Sequence, residues 1–137
     1  MKVPRVVVVG SSNTDLIVQS RNLPRPGETV LGGDLQRAAG GRGANQAVAA
    51  RRAGAETRFV AKLGDDDFGR EMLKGLRKEG IKTANVSVKR GAPSGVALIL
   101  LDVSGENLIS VAPGANLKLE KNDLDRAEGD FDRASVA

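Results

Sequence analysis

An α/β fold, a partial parallel sheet core flanked by helices plus a small β-sheet layer set apart from it, is predicted by three features of this 137-residue chain. Arg5-Val-Val-Val-Val-Gly10 is a continuous β-branched run closed by glycine, the pattern of a strand buried on both faces in a parallel sheet. Strand-like and helix-like segments then alternate through the middle of the chain, which argues for βαβ connections. Two extended excursions, at about 14–40 and 94–112, are more than a simple doubly wound sheet needs and predict a separate β layer.

The elements follow in order. Thr14 to Ser20 continues the chain as an amphipathic extended segment, and Asn22-Leu-Pro-Arg-Pro-Gly27 is a turn punctuated by proline and glycine. Glu28 to Ala39 reads as extended. Gly40-Gly-Arg-Gly43 breaks the chain before an alanine-rich helix over Ala44 to Ala53, with Arg51 and Arg52 at its negative end and Gly54 as its stop. Glu56 to Leu63 is a second core strand. Asp66 or Asp67 caps a helix running to about Glu79, with Phe68, Met72, Leu73 and Leu76 on its apolar face. Asn85 to Lys89 is a short strand. Ser94 to Val103 and Leu108 to Ala112 form a hairpin about Ser104-Gly-Glu106. Pro113 to Asn116 is a loop, Leu119 to Ala127 a helix, and Arg133 to Ala137 the start of another strand.

Composition narrows the chemistry. There is no Cys and no His, so disulfides, thiolate catalysis, His-dependent triads and Cys- or His-ligated metals are excluded. Proton transfer falls to Asp or Glu. The net charge of +4 is spread over scattered basic residues interleaved with acids, and aromatics are only 2% with no Tyr or Trp, so neither a basic stripe nor a base-stacking platform is present and no nucleic acid is expected as a partner. The apolar run Val6 to Val9 is too short for a signal-peptide core or a membrane span. No membrane partner and a cytoplasmic location are expected.

Three groups of residues are candidates for binding. Gly40-Gly41-Arg42-Gly43-Ala44-Asn45 stands directly before a helix, where glycine lets a ligand approach the backbone and the helix start offers unpaired N–H groups. It is neither a Walker A loop nor G-x-G-x-x-G, since Gln46 occupies the third glycine position. Asn13 and Asp15, two apart in an extended segment, share a face just past the carboxyl end of the first strand, where open α/β sheets bind ligands. A carboxylate that accepts and amides that both donate and accept, with Asn45 as a second amide, suit a neutral polyol; a turn held by side-chain-to-backbone bonds is the alternative. Asp65-Asp-Asp67 reads as a helix cap rather than a metal cluster, and no metal ligand is assigned.

These segments together resemble the ribokinase-like family of sugar and nucleoside kinases. The resemblance is carried by Val8-Val-Gly-Ser-Ser-Asn-Thr-Asp15, Pro24-Arg-Pro-Gly-Glu-Thr29, Gly40-Gly-Arg-Gly-Ala-Asn-Gln-Ala-Val-Ala49, Leu63-Gly-Asp-Asp-Asp-Phe-Gly69, Ser94-Gly-Val-Ala-Leu98, Gly105-Glu-Asn107 and Pro113-Gly-Ala-Asn116, in order along essentially the whole chain. It implies a ribokinase-like fold in which the two excursions form a β-sheet lid over the sugar. Residues 1–137 would be the N-terminal part of the domain, with lid strands within about 14–40 and 94–112 and the C-terminal nucleotide-binding part absent. It implies D-ribose or a similar pentose as substrate, held by Asn13, Asp15, Gly40, Gly41, Arg42 and Asn45, and homodimers clasped through the lids. The family's reaction, ribose to ribose 5-phosphate, uses ATP, Mg²⁺ and a monovalent cation, K⁺. Its general base comes from a downstream Gly-Ala-Gly-Asp motif, and its Asn-x-x-Glu motif is tied to magnesium. Neither motif occurs here, and Glu128-Gly-Asp130 lacks the glycine pattern. The expectation is therefore a sugar-binding half of a kinase that is inactive as this isolated chain; the alternative is a non-catalytic sugar-binding or lid-mediated dimerisation module. The family carries Lys where this chain has Arg42, which keeps the charge but is planar and bulkier.

Overall fold

The computed structural model describes residues 2–137. Its core is a three-stranded parallel sheet of β1 (Arg5–Val9), β4 (Glu56–Gly64) and β5 (Val86–Lys89), ordered β1-β4-β5. β1 is buried toward both sides, as its valine run predicts. Val8 packs with Phe59, Ala61 and Leu63 of β4 and with the helices α1 (Arg42–Arg52) and α2 (Asp67–Lys78). Val7 packs on the opposite face with Val60, Ala127 and Phe131, beneath the short helices α3 (Lys121–Arg126) and α4 (Glu128–Phe131). Residues 135–136 add a parallel bridge along the free side of β1, through Val7 N–H to Val136 O at 3.0 Å.

The second sheet has four strands, β2 (Asn13–Ser20), β3 (Gln36–Gly40), β6 (Gly95–Asp102) and β7 (Asn107–Ala112), in the order β3-β2-β6-β7. β2 and β6 come from separate excursions and pair in parallel, while β3 and β7 flank them antiparallel. This is the separate β layer expected from the sequence.

Three expectations require correction. Residues 28–35 are not extended strand: only Gln36–Gly40 pairs with β2, and upstream of it a lone bridge joins Gly32 to Ser20. β2 continues to Ser20, but its ladder with β3 ends at Ile17, and beyond it only the Ser20–Gly32 bridge joins the two segments. The first helix begins at Arg42 rather than Ala44, because Gly41 supplies the non-helical N-cap and Gly43 is already helical. The segment after β7 is not a loop followed by one helix. It is a 3-10 turn, Gly114–Lys118, then α3 behind a capping box formed by Glu120 and Asp123, then α4.

The Asp65–Asp67 run behaves as a cap: Asp66 accepts from Gly69 N–H at 2.9 Å and also from the N–H and hydroxyl of Ser94, just before β6. Burial alone would raise the Asp66 pKa, but these hydrogen bonds and nearby Arg70 outweigh it and hold the carboxyl below its ordinary value. On the other face, the buried pair of Lys62 Nζ and Asp123 Oδ1 at 2.7 Å fixes α3 against the sheet, and the Asp123 carboxylate also accepts from Ser87, from the N–H of Glu120 and from the guanidinium of Arg126. Such a pair costs desolvation, which the several hydrogen bonds to the Asp123 carboxylate help to offset.

Candidate functional site

The candidate residues gather where the second sheet meets the core. Four segments converge there: the link between β1 and β2, the junction of β3 with α1, the residues before β6 and those after β7. The register sets their relation. Asn13 lies beside Gly40 of β3 on one side and Gly95 of β6 on the other, and Asp15 beside Ala38 and Ala97. Laterally paired residues share a face, so Asn13 and Asp15 point to one side with only glycine and alanine beside them. A Cβ at Gly40 would run into the Asp15 carboxylate, and one at Gly95 into the side-chain oxygen of Asn13 and the nitrogen of Asn116. Both positions need glycine because polar atoms already occupy that space.

Gly41 turns the chain from β3 into α1 at φ 93°, the left-handed region that glycine adopts without strain. A Cβ there would stand 2.7 Å from Ser11 O and 2.9 Å from Asn13 N, so α1 starts hard against the β1–β2 link. Ala44 N–H donates to Ser11 O at 3.0 Å, fastening the helix start to the same link. Arg42 and Asn45 lie exposed in this first turn.

Asp15 is half-buried, and burial alone pushes its carboxyl above the ordinary aspartate value. A desolvated acceptor of this kind is best satisfied by hydroxyl groups brought by a ligand.

Sequence reasoning placed Asn116 in a loop and gave it no role. In the structure its amide is the knot of the site. Its Oδ1 accepts from Ser12 N–H at 2.9 Å, and its Nδ2 lies 2.8 Å from Asn13 Oδ1, 2.9 Å from Pro113 O and 3.2 Å from Ser12 O. It thereby ties the start of the second sheet to its end. Asn116 is distant from Asn13 along the chain, and Pro-Gly-Ala-Asn alone carries no sign of such a partner. Ser12 beside it is buried, and its hydroxyl is the buried side-chain oxygen left without a partner among the described residues.

A cleft of about 460 Å³ opens on the other face of β2, between β3, α1 and α2, with Thr14, Ala44, Val48, Met72 and Leu76 on its walls. It takes in Asn45 but not Asn13 or Asp15, so this cleft and the paired polar groups are different places. The register and the chemistry of Asn13 and Asp15 locate the candidate site better than volume does. Among the described residues no group of three or more acidic side chains is placed to hold a metal ion, and no helix is long and apolar enough to cross a membrane.

Fold and site together define a lid-bearing α/β protein with a small polar cradle at the lid's base. The chain belongs to the pfkB family of carbohydrate kinases, whose family model matches residues 3–136. It is 41% identical over 131 residues to the ribokinase of Mus musculus, an alignment that covers 96% of this chain and 41% of that protein. The structure of the ribokinase from Giardia lamblia superposes with a TM-score of 0.90 at 32% identity, over 98% of this chain and 41% of that one. That of Arabidopsis thaliana ribokinase complexed with ribose and ATP gives a TM-score of 0.79 at 33% identity, over 99% of this chain and 45% of that one. This chain spans about two fifths of the length of such relatives.

Proposed function

We propose that this chain is the sugar-binding half of an ATP-dependent kinase that converts D-ribose to ribose 5-phosphate in the cytoplasm. Asn13, Asp15, Gly40, Gly41, Arg42 and Asn45 form its share of the sugar site. The observation that carries the reading is the Asn13–Asp15 pair on one face of β2, in a space kept clear by Gly40 and Gly95. Asp15 accepts hydroxyl hydrogens, Asn13 supplies an amide, Gly41 lets the ring approach the backbone, and Arg42 and Asn45 reach in from the helix start. The ribose in the Arabidopsis complex supports a pentose as the substrate.

The nucleotide, Mg²⁺ and K⁺ of the family reaction do not fit the residues of this chain: its sequence has no Walker A loop, and among the described residues no group of three or more acidic side chains is placed to hold a metal ion. Phosphoryl transfer is mostly positioning and charge stabilisation around the phosphates, so the 137-residue chain alone binds sugar without turning it over. Leu98 and Leu108 on one face of the lid, and Ile109 and Val111 on the other, are each about half exposed, which supports homodimerisation through the lids.

Titration calorimetry of the purified chain with D-ribose tests this directly. Saturable binding that is abolished in Asp15→Ala, with no ribose-dependent ADP release from added ATP, is the expected result. Ribose-independent heats would overturn the sugar site, and sustained ADP release would overturn the inactivity.

A further inference from the structure

We infer that Asn116 is a positioning residue that fixes which end of the Asn13 amide faces the ligand, so that Asn13 acts as a donor beside the acceptor Asp15. This deepens the sugar-site reading and rests on it.

The two ends of an asparagine amide are nearly isosteric, and only their partners distinguish them. The assignment here starts from the backbone, which leaves no choice. Ser12 N–H can only donate, so the Asn116 atom 2.9 Å from it is the oxygen. The carbonyls of Pro113 and Ser12 can only accept, at 2.9 and 3.2 Å, so the atom facing them is the Asn116 nitrogen, in agreement. That same nitrogen lies 2.8 Å from the Asn13 side chain, so the Asn13 atom it meets is the oxygen. The Asn13 NH₂ is thereby turned outward, on the face it shares with Asp15.

The pair then has a direction. A hydroxyl between them gives its hydrogen to Asp15 and accepts one from Asn13, satisfying both with one group. A carbonyl or ether oxygen satisfies only Asn13, and a methylene satisfies neither. Asn116 touches no ligand in this scheme; it acts through Asn13.

Asn13→Asp separates the two orientations. The new carboxylate keeps an acceptor against Asn116, loses the outward donor and adds a negative charge on the face of Asp15. With the assigned orientation, thermal stability is retained while ribose affinity falls about tenfold or more. With the reverse orientation, the inward donor would be lost and stability would fall; that result overturns the inference. Asn116→Asp is the second arm, because it keeps the acceptor for Ser12 N–H but cannot donate to Asn13. It should weaken ribose binding about tenfold in the native background and markedly less in an Asn13→Ala background, where only the donations to Pro113 O and Ser12 O are lost, each melt being recorded alongside. Equal losses in both backgrounds would make Asn116 a scaffold residue only and overturn its role through Asn13. Failure of the native chain to bind ribose would sink the sugar reading instead, leaving the melting arm of Asn13→Asp to decide the amide's orientation by itself.

Discussion

Asp15 combines two requirements that pull in opposite directions. Burial raises its pKa, so it holds its proton more tightly in the folded chain than in the unfolded one. Its contribution to folding stability therefore declines as pH rises through the interval between the ordinary aspartate value, about 3.9, and its own. Sugar binding needs the ionised acceptor and follows the reverse course, weakening as pH falls through the raised value and reaching its plateau toward neutrality. Calorimetric titrations with ribose across pH 4 to 7 should trace that rise. Asp15→Asn should leave the melting temperature at neutral pH equal to or above that of the native chain while ribose binding is lost, and differential scanning calorimetry with a parallel titration measures both. Ser12 offers a contrast, since its buried hydroxyl has no partner among the described residues. Ser12→Ala should be neutral or stabilising, because an orphaned buried hydroxyl costs about 1–3 kcal/mol; a marked drop in melting temperature would show that the hydroxyl is satisfied in solution.

The elements differ in how far the sequence announces them. β1, β4, α2 and the β6–β7 hairpin are each encoded locally, by a valine run, a capped amphipathic stretch or a turn between apolar segments, and all form where expected. The limits of β3 and the break between α3 and α4 depend on where β2 stops offering partners and on how Asp123 docks against Lys62, neither of which leaves a local trace. The candidate site divides in the same way. Asn13, Asp15 and Gly40 share a face by periodicity and register, whereas Gly95 and Asn116 join them only through parallel pairing between distant segments. Asp66 illustrates an element-scale device, for it caps α2 and also fastens the approach to β6. Asp66→Ala should cost about 1–2 kcal/mol, read from urea unfolding. Asp66 and Asp123 both titrate below the ordinary value: burial opposes their ionisation, and the hydrogen bonds to each carboxylate, with Lys62 foremost for Asp123, overcome it. The stability they confer is complete above about pH 4 and is lost as pH falls through their depressed values. Acid unfolding that begins near neutrality would contradict this.

For the whole molecule, the second sheet presents apolar side chains on both faces. Leu16, Val18, Leu98, Leu100 and Leu108 lie on one, and Ile17, Ile99, Ile109 and Val111 on the other. A four-stranded sheet of this composition needs cover on at least one side to be at rest in water. Sedimentation velocity should show concentration-dependent association, and Ile109→Asp should shift the chain toward monomer without a loss of ribose affinity larger than about threefold, well under 1 kcal/mol. A clean monomer at all concentrations with a sharp two-state melt would count against the proposed lid contact.

The parallel pairing of β2 with β6 also fixes the order in which the molecule can assemble. β3 follows β2 closely and can zip onto it early, but the other edge of β2 has no partner until β4, α2 and β5 have been made and β6 arrives. Closing that long loop carries an entropic cost that no local contact repays. The α1- and α2-covered face of the core sheet can therefore form before the polar cradle, which needs Asn116 to reach back to Ser12 and Asn13. A chain at the stage before β6 pairs has an open apolar edge on β2 and a core sheet covered on one face only, since α3 and α4 follow β7 in the sequence, and such a stage is exposed to mispairing with a neighbouring chain.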